Sequence, residues 1–304
     1  MSSTLFALLE ARGIPFQQQV SMANKTTLRV GGPAYCWVDA HAAGDIRAAL
    51  MAAKEAGKEA YIVGNGSNLL VRDGGIDGLV IHIGQGMEAI QVDGTFVRTG
   101  AGARLSQVAV AAQEKGLSGM EAISGIPGTI GGALCMNAGS YGVEIGQLVQ
   151  SVEAMDMDGN IHILTRDEMA FAYRRSTLLQ QGWIATAATL SLVPGDPVAI
   201  RDEMRRLAAE RRAKQPLSLP SAGSFFKRPQ GHFAGALIEQ AGLKGFQLGG
   251  ARVSEMHAGF LVNMGGASAR DFLDLSALIQ ARVYEISGVT LEAEVRILGC
   301  DLSC

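Results

Sequence analysis

Hydrophobic positions in the first part of the chain form short alternating runs separated by a helical stretch. Tyr35–Ala40 alternates like a strand, Asp45–Gly57 has apolar residues at helical spacing, and Ala60–Val63 is a second short apolar run. The pattern predicts a strand, a helix and a strand that lead into the segment Gly64–Asn68 (GNGSN).

The rest of the chain continues with mixed elements. Asp-Gly pairs between apolar runs predict β-hairpins at Asp93-Gly94 and at Asp158-Gly159. Further strands are predicted at Leu79–Ile83, Trp183–Val193 and Val289–Gly299. Helices are predicted at Leu105–Lys115, Pro197–Lys214, Gly231–Gly242 and Ser268–Ser287. The pattern restarts near residue 200, where we place a domain boundary.

Two of these predicted elements also carry residues whose spacing indicates a helix cap, a buried face or a functional side chain. In the helix predicted at Ser268–Ser287, Ser268 and Asp271 occupy capping-box positions. Its apolar stripe, which predicts a core-facing side, consists of Phe272, Leu275, Ile279, Val283 and Ile286.

In the strand predicted at Val289–Gly299, Glu292 and Glu294 share one face, ~6.6 Å apart along the strand. Periodicity leaves open which glutamate is functional, and whether this face is simply solvated.

The most unusual stretch is Ser124–Val143, within the 22 residues Ala122–Val143 that contain no Lys, Arg, Asp or Glu. Length and neutrality suit a membrane span, but six glycines, Pro127 and Asn137 favour a soluble glycine-rich loop. Successive N–H groups in such loops bind anions. With GNGSN, the stretch predicts a phosphate-bearing cofactor, although no Rossmann or P-loop motif is complete.

Composition narrows the function classes. The net charge of −3 gives no basic surface for nucleic acid or an anionic membrane. The start of the chain has no signal-peptide pattern. The four cysteines (Cys36, Cys135, Cys300 and Cys304) and five histidines have no disulfide-framework or metal-site spacing. We therefore expect a cytoplasmic protein without a metal, in which Cys300 and Cys304 are exposed and only His257 lies in a suggestive glycine-rich context.

Two polar segments could carry chemistry. Phe171–Ser176 (FAYRRS) combines an aromatic hydroxyl, two guanidiniums and a serine, although its composition alone favours a solvated loop over a site. Pro220–Pro229 (PSAGSFFKRP) places Ser224 after small residues and before two phenylalanines that could exclude water. A structural serine in a turn remains the alternative there.

Six segments in order resemble the UDP-N-acetylenolpyruvoylglucosamine reductases, the flavoenzymes of early peptidoglycan synthesis. They are NKTTLRVGG (Asn24–Gly32), VGNGSNLLV (Val63–Val71), SGIPGTIGGALCMNAGSYGVEI (Ser124–Ile145), YRRS (Tyr173–Ser176), AGSFFKRP (Ala222–Pro229) and LEAEVRILG (Leu291–Gly299). The resemblance covers nearly the whole chain.

The resemblance implies an α+β fold. Two FAD-binding subdomains of the vanillyl-alcohol-oxidase type, residues 1–72 and 73–200, would precede a substrate-binding domain at 201–304, whose last strand could return to the FAD domain. Only 50 residues separate Arg174 from Ser224, and Arg228 ends the GSFFKRP motif. Both features are similar to the shorter subtype of the family, which lacks an extra tyrosine loop.

The resemblance also assigns the catalytic residues. Ser224 is placed as the proton donor, with Arg174 and Glu294 as its partners, because the family's E-V-R motif selects Glu294 over Glu292. The substrate is a sugar nucleotide, and Tyr173, Lys214, Lys227 and Arg228 are the candidates for holding it. No nucleic acid, membrane or oligomer is implied.

The implied cofactors are non-covalent FAD and NADPH, which takes turns with the sugar nucleotide at one site. The FAD diphosphate would lie on two sets of backbone amides: Gly64, Asn65, Gly66, Ser67 and Asn68, and Ser124, Gly125, Ile126, Pro127, Gly128, Thr129, Gly131 and Gly132. Two alternatives are an FAD-linked oxidase of the same fold, acting on an alcohol or lactone, and a non-enzymatic flavin or nucleotide-sugar binding module.

Overall fold

The computed structural model of the protein describes residues 4–302, and Cys304 therefore lies outside the described residues. Two short 3-10 helices occur at Met22–Asn24 and Ile145–Gln147. The described residues form eight α-helices: α1 Leu5–Ala11, α2 Ala43–Glu55, α3 Leu105–Glu114, α4 Ile130–Met136, α5 Thr177–Gln181, α6 Pro197–Lys214, α7 Ala234–Gln240 and α8 Ala269–Ser287.

The strands of the described residues are mostly short. They are β1 Gln17–Ser21, β2 Pro33–Ala40, β3 Ala60–Val63, β4 Leu69–Val71, β5 Ile76–Ile83, β6 Ile90–Asp93, β7 Phe96–Gly100, β8 Leu117–Ser118, β9 Gly139–Ser140, β10 Val143–Glu144, β11 Val149–Met155, β12 Ile161–Thr165, β13 Ile184–Ser191, β14 Val193–Pro194, β15 Ser221–Ser224, β16 Gln247–Leu248, β17 Ala251–Val253, β18 Phe260–Asn263 and β19 Arg296–Leu298.

The chain divides into two compact units. Among the described residues, the first unit consists of 4–18, 36–65 and 78–210, and the second of 19–35, 66–77 and 211–302. Each unit is therefore built from separate stretches of the chain. The three-part division at 72 and 200 stays a prediction.

The first unit contains most of the strands. In the four-stranded sheet of order β1-β2-β5-β3, β3, residues 36–40 of β2 and residues 78–83 of β5 belong to the first unit. Strand β3 pairs parallel with β5. A five-stranded antiparallel sheet has the order β12-β11-β13-β7-β6, with α3 and α4 packed against its strands. Both predicted Asp-Gly hairpins are confirmed, as β6–β7 and β11–β12.

The second unit combines a four-stranded sheet, β15-β18-β17-β16, with helices α7 and α8. Its core includes Phe225 and Phe226 after β15, Leu237 and Ile238 of α7, and Phe272 of α8. A separate parallel pair joins β4 to β19. The α+β class is confirmed.

Helix α8 begins and ends almost where the sequence predicts. The Ser268 hydroxyl accepts a hydrogen bond from the Asp271 amide, and the Asp271 carboxylate accepts from the Ser268 amide, which completes the capping box. Four positions of the predicted stripe are buried: Phe272, Leu275, Ile279 and Val283. Ile286 is half exposed, so the core face ends one turn earlier than the stripe.

The strand predicted at Val289–Gly299 is wrong over most of its length. Only Arg296–Leu298 forms a strand, paired with β4, and Ala293 makes a single bridge to Phe226. The segment changes partners between these points, because the Glu294 amide bonds to Phe225 whereas the Arg296 amide bonds to Asn68. A continuous two-residue alternation therefore hides a change of pairing.

The neutral stretch Ala122–Val143 is not a loop throughout, because it contains α4 (Ile130–Met136). Thr129 caps this helix by accepting from the Gly132 amide. Ala133 and Leu134 face the core, which explains why charges are absent there. No helix within residues 4–302 is long and apolar enough to cross a membrane.

Candidate active site

Ser224 is the last residue of β15, directly after a β-bulge in its pairing with β18. It lies opposite Phe260, and the next residue, Phe225, donates its amide to the Gly259 carbonyl at 2.8 Å. Phe225 and Phe226 are buried and meet edge to face, 5.3 Å between ring centroids. Bulges often re-aim a side chain at a functional site, and here two core aromatics fix the chain behind the half-buried serine.

Glu294 lies on the segment that crosses Phe225. Its amide donates to the Phe225 carbonyl at 2.8 Å, and its own carbonyl accepts from the Asn68 side chain at 3.2 Å. The residue is half-buried. The second unit thus brings the predicted proton donor, Ser224, and Glu294 onto adjoining segments.

Glu292 has a different environment, although it lies only two residues away. It is exposed, and its carboxylate pairs with the Lys227 ammonium at 3.0 Å. The Lys227 amide also donates to the Glu292 carbonyl at 2.8 Å. The two glutamates, which periodicity could not separate, therefore differ in burial and in partners.

Arg174 lies at the tip of a two-residue turn in the first unit. Ala172 and Arg175 exchange backbone hydrogen bonds of 3.1 and 3.0 Å, leaving Tyr173 and Arg174 between them. Arg174 has φ 53°, and its guanidinium lies 4.9 Å from the centre of the Tyr173 ring. The left-handed conformation costs a non-glycine residue about 1–2 kcal/mol, so the surrounding structure must hold the turn in place.

Asn137 provides that support, although its sequence context indicates only a loop. Its buried side chain donates to the Ala172 carbonyl at 3.0 Å and to Glu144 at 2.8 Å, and it accepts from the Gly146 amide at 3.0 Å. Ser176, also buried, caps α5 and donates to the Cys135 carbonyl at 2.7 Å. The YRRS segment is therefore an anchored turn rather than a loose solvated loop.

The two glycine-rich segments meet within the first unit. A Cβ atom on Gly64 would lie 2.5 Å from Thr129 Oγ1, so only glycine fits this approach. Beside it, the Asn65 side chain donates to the Pro127 carbonyl at 2.6 Å. Gly64 and Asn65 therefore lie beside Pro127 and Thr129 in the first unit.

Backbone amides at this junction are suited to a phosphate group. Among residues 4–302, the backbone amides of Asn65, Gly125 and Thr129 donate to no protein acceptor. The amides of other residues in the second segment already donate within the protein, namely Ser124, Ile126, Gly128, Gly131 and Gly132. The residues present thus fit a diphosphate.

The basic residues predicted to hold the substrate differ in their exposure and in their partners. Lys214 is exposed at the end of α6, and Lys227 is paired with Glu292. The exposed Arg228 stacks on Phe233, with 4.0 Å from its guanidinium carbon to the ring centre.

His257 has a structural setting. Burial lowers the pKa of His257, and its Nδ1 accepts from the Gly259 amide at 3.1 Å. Its ring also packs against Phe260, 5.0 Å between centroids. The histidine therefore shapes the turn before β18. Across residues 4–302, no three His, Cys, Asp or Glu side chains form a group that could hold a metal ion.

Two family models match successive parts of the chain. Residues 35–165 match the FAD binding domain family, and residues 215–298 match the family described as UDP-N-acetylenolpyruvoylglucosamine reductase, C-terminal domain. A UDP-N-acetylenolpyruvoylglucosamine reductase from Clostridioides difficile (strain 630) is 48% identical over 280 residues, 92% of each chain. The chain belongs to the UDP-N-acetylenolpyruvoylglucosamine reductase family. It is an FAD-dependent oxidoreductase, and the family predicted from the six segments is confirmed.

Solved structures agree with this membership. The UDP-N-acetylenolpyruvylglucosamine reductase from Thermus caldophilus is 34% identical, with a TM-score of 0.81 over 94% of this chain and 100% of that chain. Phl p 4.0202, a glucose dehydrogenase, is 16% identical, with a TM-score of 0.50 over 64% of this chain and 44% of that one. The second likeness shows a shared fold alone.

Proposed function

We propose that this protein reduces UDP-N-acetylglucosamine enolpyruvate to UDP-N-acetylmuramate with NADPH, in the synthesis of peptidoglycan precursors. Membership of the reductase family over nearly the whole chain carries this proposal. The adjoining segments of Ser224 and Glu294 support it, because the reaction needs a proton donor as well as a hydride. A reaction on a soluble sugar nucleotide fits the cytoplasm.

FAD would be held at the junction of the two glycine-rich segments. The amides of Asn65, Gly125 and Thr129 would donate to its diphosphate oxygens. With FAD bound, the site would have the hydride chemistry that links NADPH to the substrate. The protein holds and orients the cofactor and supplies the proton.

Arg174 would stabilise the charge that develops on the substrate. Hydride addition to the terminal carbon of the enolpyruvyl double bond moves the π electrons towards the carboxylate and creates an enolate. A guanidinium fixed at that carboxylate stabilises the enolate as it forms. The neighbouring Tyr173 would contact the sugar nucleotide.

Ser224 would then complete the reaction as general acid. Its hydroxyl proton passes to the enolate carbon, forms the second C–H bond and returns the carboxylate to its ordinary form. Glu294, on the adjoining segment, would orient the substrate or share the proton network that reprotonates the serine.

Lys214, Lys227 and Arg228 are the proposed contacts for the substrate diphosphate. Arg228 presents a planar guanidinium supported by Phe233, which suits a phosphate oxygen pair. Lys227 would first have to leave Glu292.

An anaerobic experiment tests the proposed function. The purified protein should carry about one acid-releasable FAD per chain, and NADPH should bleach its absorbance. UDP-N-acetylglucosamine enolpyruvate should then restore the absorbance, and steady-state plots against NADPH should be parallel, with inhibition at high sugar nucleotide. Absorbance that returns with oxygen or another acceptor, but not with the enol ether, would favour an FAD-linked oxidase instead.

A further inference from the structure

The segment Asn24–Gly32 has no role in the proposed reaction, yet one of its residues makes two long-range hydrogen bonds within the second unit. The Thr27 amide donates to the Gly66 carbonyl at 3.2 Å. Its hydroxyl donates to the carbonyl of Ser221, the first residue of β15, at 2.6 Å. Thr27 thus joins the loop after β3 to the strand that ends in Ser224.

This segment is held firmly on both sides. Gly66 has φ 62°, and a Cβ atom there would lie 2.2 Å from the Lys25 carbonyl oxygen, so loop and segment are in direct backbone contact. The Asn263 side chain donates to the carbonyls of Leu28 and Arg29, at 3.1 and 3.3 Å. Thr27 therefore has little freedom to move away from either partner.

Asn68 makes the matching connection to Glu294. Its side-chain amide donates to the Glu294 carbonyl at 3.2 Å, and its own carbonyl accepts from the Arg296 amide at 3.0 Å. Because Glu294 also bonds to Phe225, the loop, β15 and the final segment are linked in one chain of hydrogen bonds.

We propose that Thr27 and Asn68 are positioning residues, which set Ser224 and Glu294 at a fixed distance from the loop at Gly66. Neither side chain needs to touch the substrate. The inference rests on the proposed function, since it assigns these tethers to the protonation step. A tether of this kind matters because a misplacement of roughly 1 Å can cost about 10²-fold in rate.

Thr27→Val separates the two bonds, because valine keeps the amide that reaches Gly66 and loses only the hydroxyl that reaches Ser221. Reoxidation of the NADPH-reduced variant by UDP-N-acetylglucosamine enolpyruvate should slow by about 10-fold or more. The FAD dissociation constant, measured by flavin fluorescence, and the rate of bleaching by NADPH should match wild type. Thr27→Ser should restore reoxidation.

Thr186→Val is the control, because the Thr186 hydroxyl also makes a hydrogen bond to a distant residue, with the Glu153 carboxylate at 2.7 Å and the Glu153 carbonyl at 3.2 Å as its acceptors in the first unit. It should lose melting temperature without slowing reoxidation. Asn68→Ala, which removes the donor to the Glu294 carbonyl, keeps the backbone amide and adds no charge, should repeat the selective slowing. It is the deciding variant if Thr27→Val does not fold.

Several results would overturn the inference. One is reoxidation at the wild-type rate in both Thr27→Val and Asn68→Ala. Another is slowing in Thr27→Val that Thr27→Ser does not rescue or that accompanies loss of FAD affinity. A wild-type protein that the enol ether does not reoxidise would instead refute the proposed function, so the two failures are distinguishable.

Discussion

The turn that carries Arg174 and the segments that carry Ser224 and Glu294 are held in different ways. In the first unit, a strained turn with φ 53° is supported mainly by the buried Asn137 side chain. In the second unit, Ser224 and Glu294 belong to short segments joined by backbone hydrogen bonds above buried aromatics.

The difference suggests how the stability and the activity of each region should respond to substitution of a side chain. A site fixed by backbone bonds keeps its shape when one catalytic side chain is truncated, so such variants should lose rate and little stability. A turn that depends on one buried amide should lose stability and rate together when that amide is removed. The following predictions test this contrast.

The largest effect is expected from Gly66→Ala. Its Cβ would lie 2.2 Å from a backbone oxygen at a left-handed φ, so the loop must move, and we expect loss of bound FAD and of turnover. Gly13→Ala is the matched control, since Gly13 has φ 66° and open space around it. Flavin content after gel filtration measures the result; a fully yellow Gly66→Ala protein would contradict it.

Arg174→Ala and Glu294→Gln should each slow reoxidation by the enol ether by about 10²-fold or more, with bleaching by NADPH near normal. Thermal melts should stay close to wild type, since both backbones keep their hydrogen bonds. Stopped-flow absorbance separates the half-reactions. Equal slowing of both would mean that these residues act on the cofactor site rather than on the substrate.

Asn137→Ala should lower the free energy of unfolding by about 1–3 kcal/mol, because it leaves buried groups such as the Gly146 amide without a partner. Turnover should fall as the Arg174 turn loosens. Chemical denaturation measures the first effect. Asn160→Ala, at an exposed hairpin turn, is the control and should leave turnover unchanged.

The smallest effect is expected from Glu292→Gln. The exposed pair with Lys227 contributes about 0–1 kcal/mol, and the carboxylate lies apart from the proposed chemistry. Turnover should therefore remain near wild type in a steady-state assay. A loss as large as that of Glu294→Gln would mean that the two glutamates have been assigned the wrong way round.

Local patterns predicted local structure well. The Asp-Gly hairpins, helix Pro197–Lys214 and the capping box of α8 depend on neighbours within a few residues, so the sequence records them directly. The strand predicted at Val289–Gly299 was wrong because the two partners of this stretch, β4 and Phe226, are far away in the chain. Helix α4 was missed because its glycines suggested a loop.

The candidate site was predictable only in part. The roles of Ser224, Arg174 and Glu294 came from family resemblance, since composition alone left each with an ordinary structural interpretation. The tethers made by Asn137, Thr27 and Asn68 have no local signature, because a hydrogen bond to a distant carbonyl leaves no periodic pattern. Only the fold identifies their partners.

The central claim, that Ser224 delivers the proton, is tested most directly by stopped-flow traces of Ser224→Ala. The account predicts normal FAD binding and normal bleaching by NADPH, followed by reoxidation with UDP-N-acetylglucosamine enolpyruvate that is ~10²–10⁴-fold slower than wild type. A melting temperature near wild type would exclude a folding defect. Reoxidation at the wild-type rate would contradict the role of Ser224.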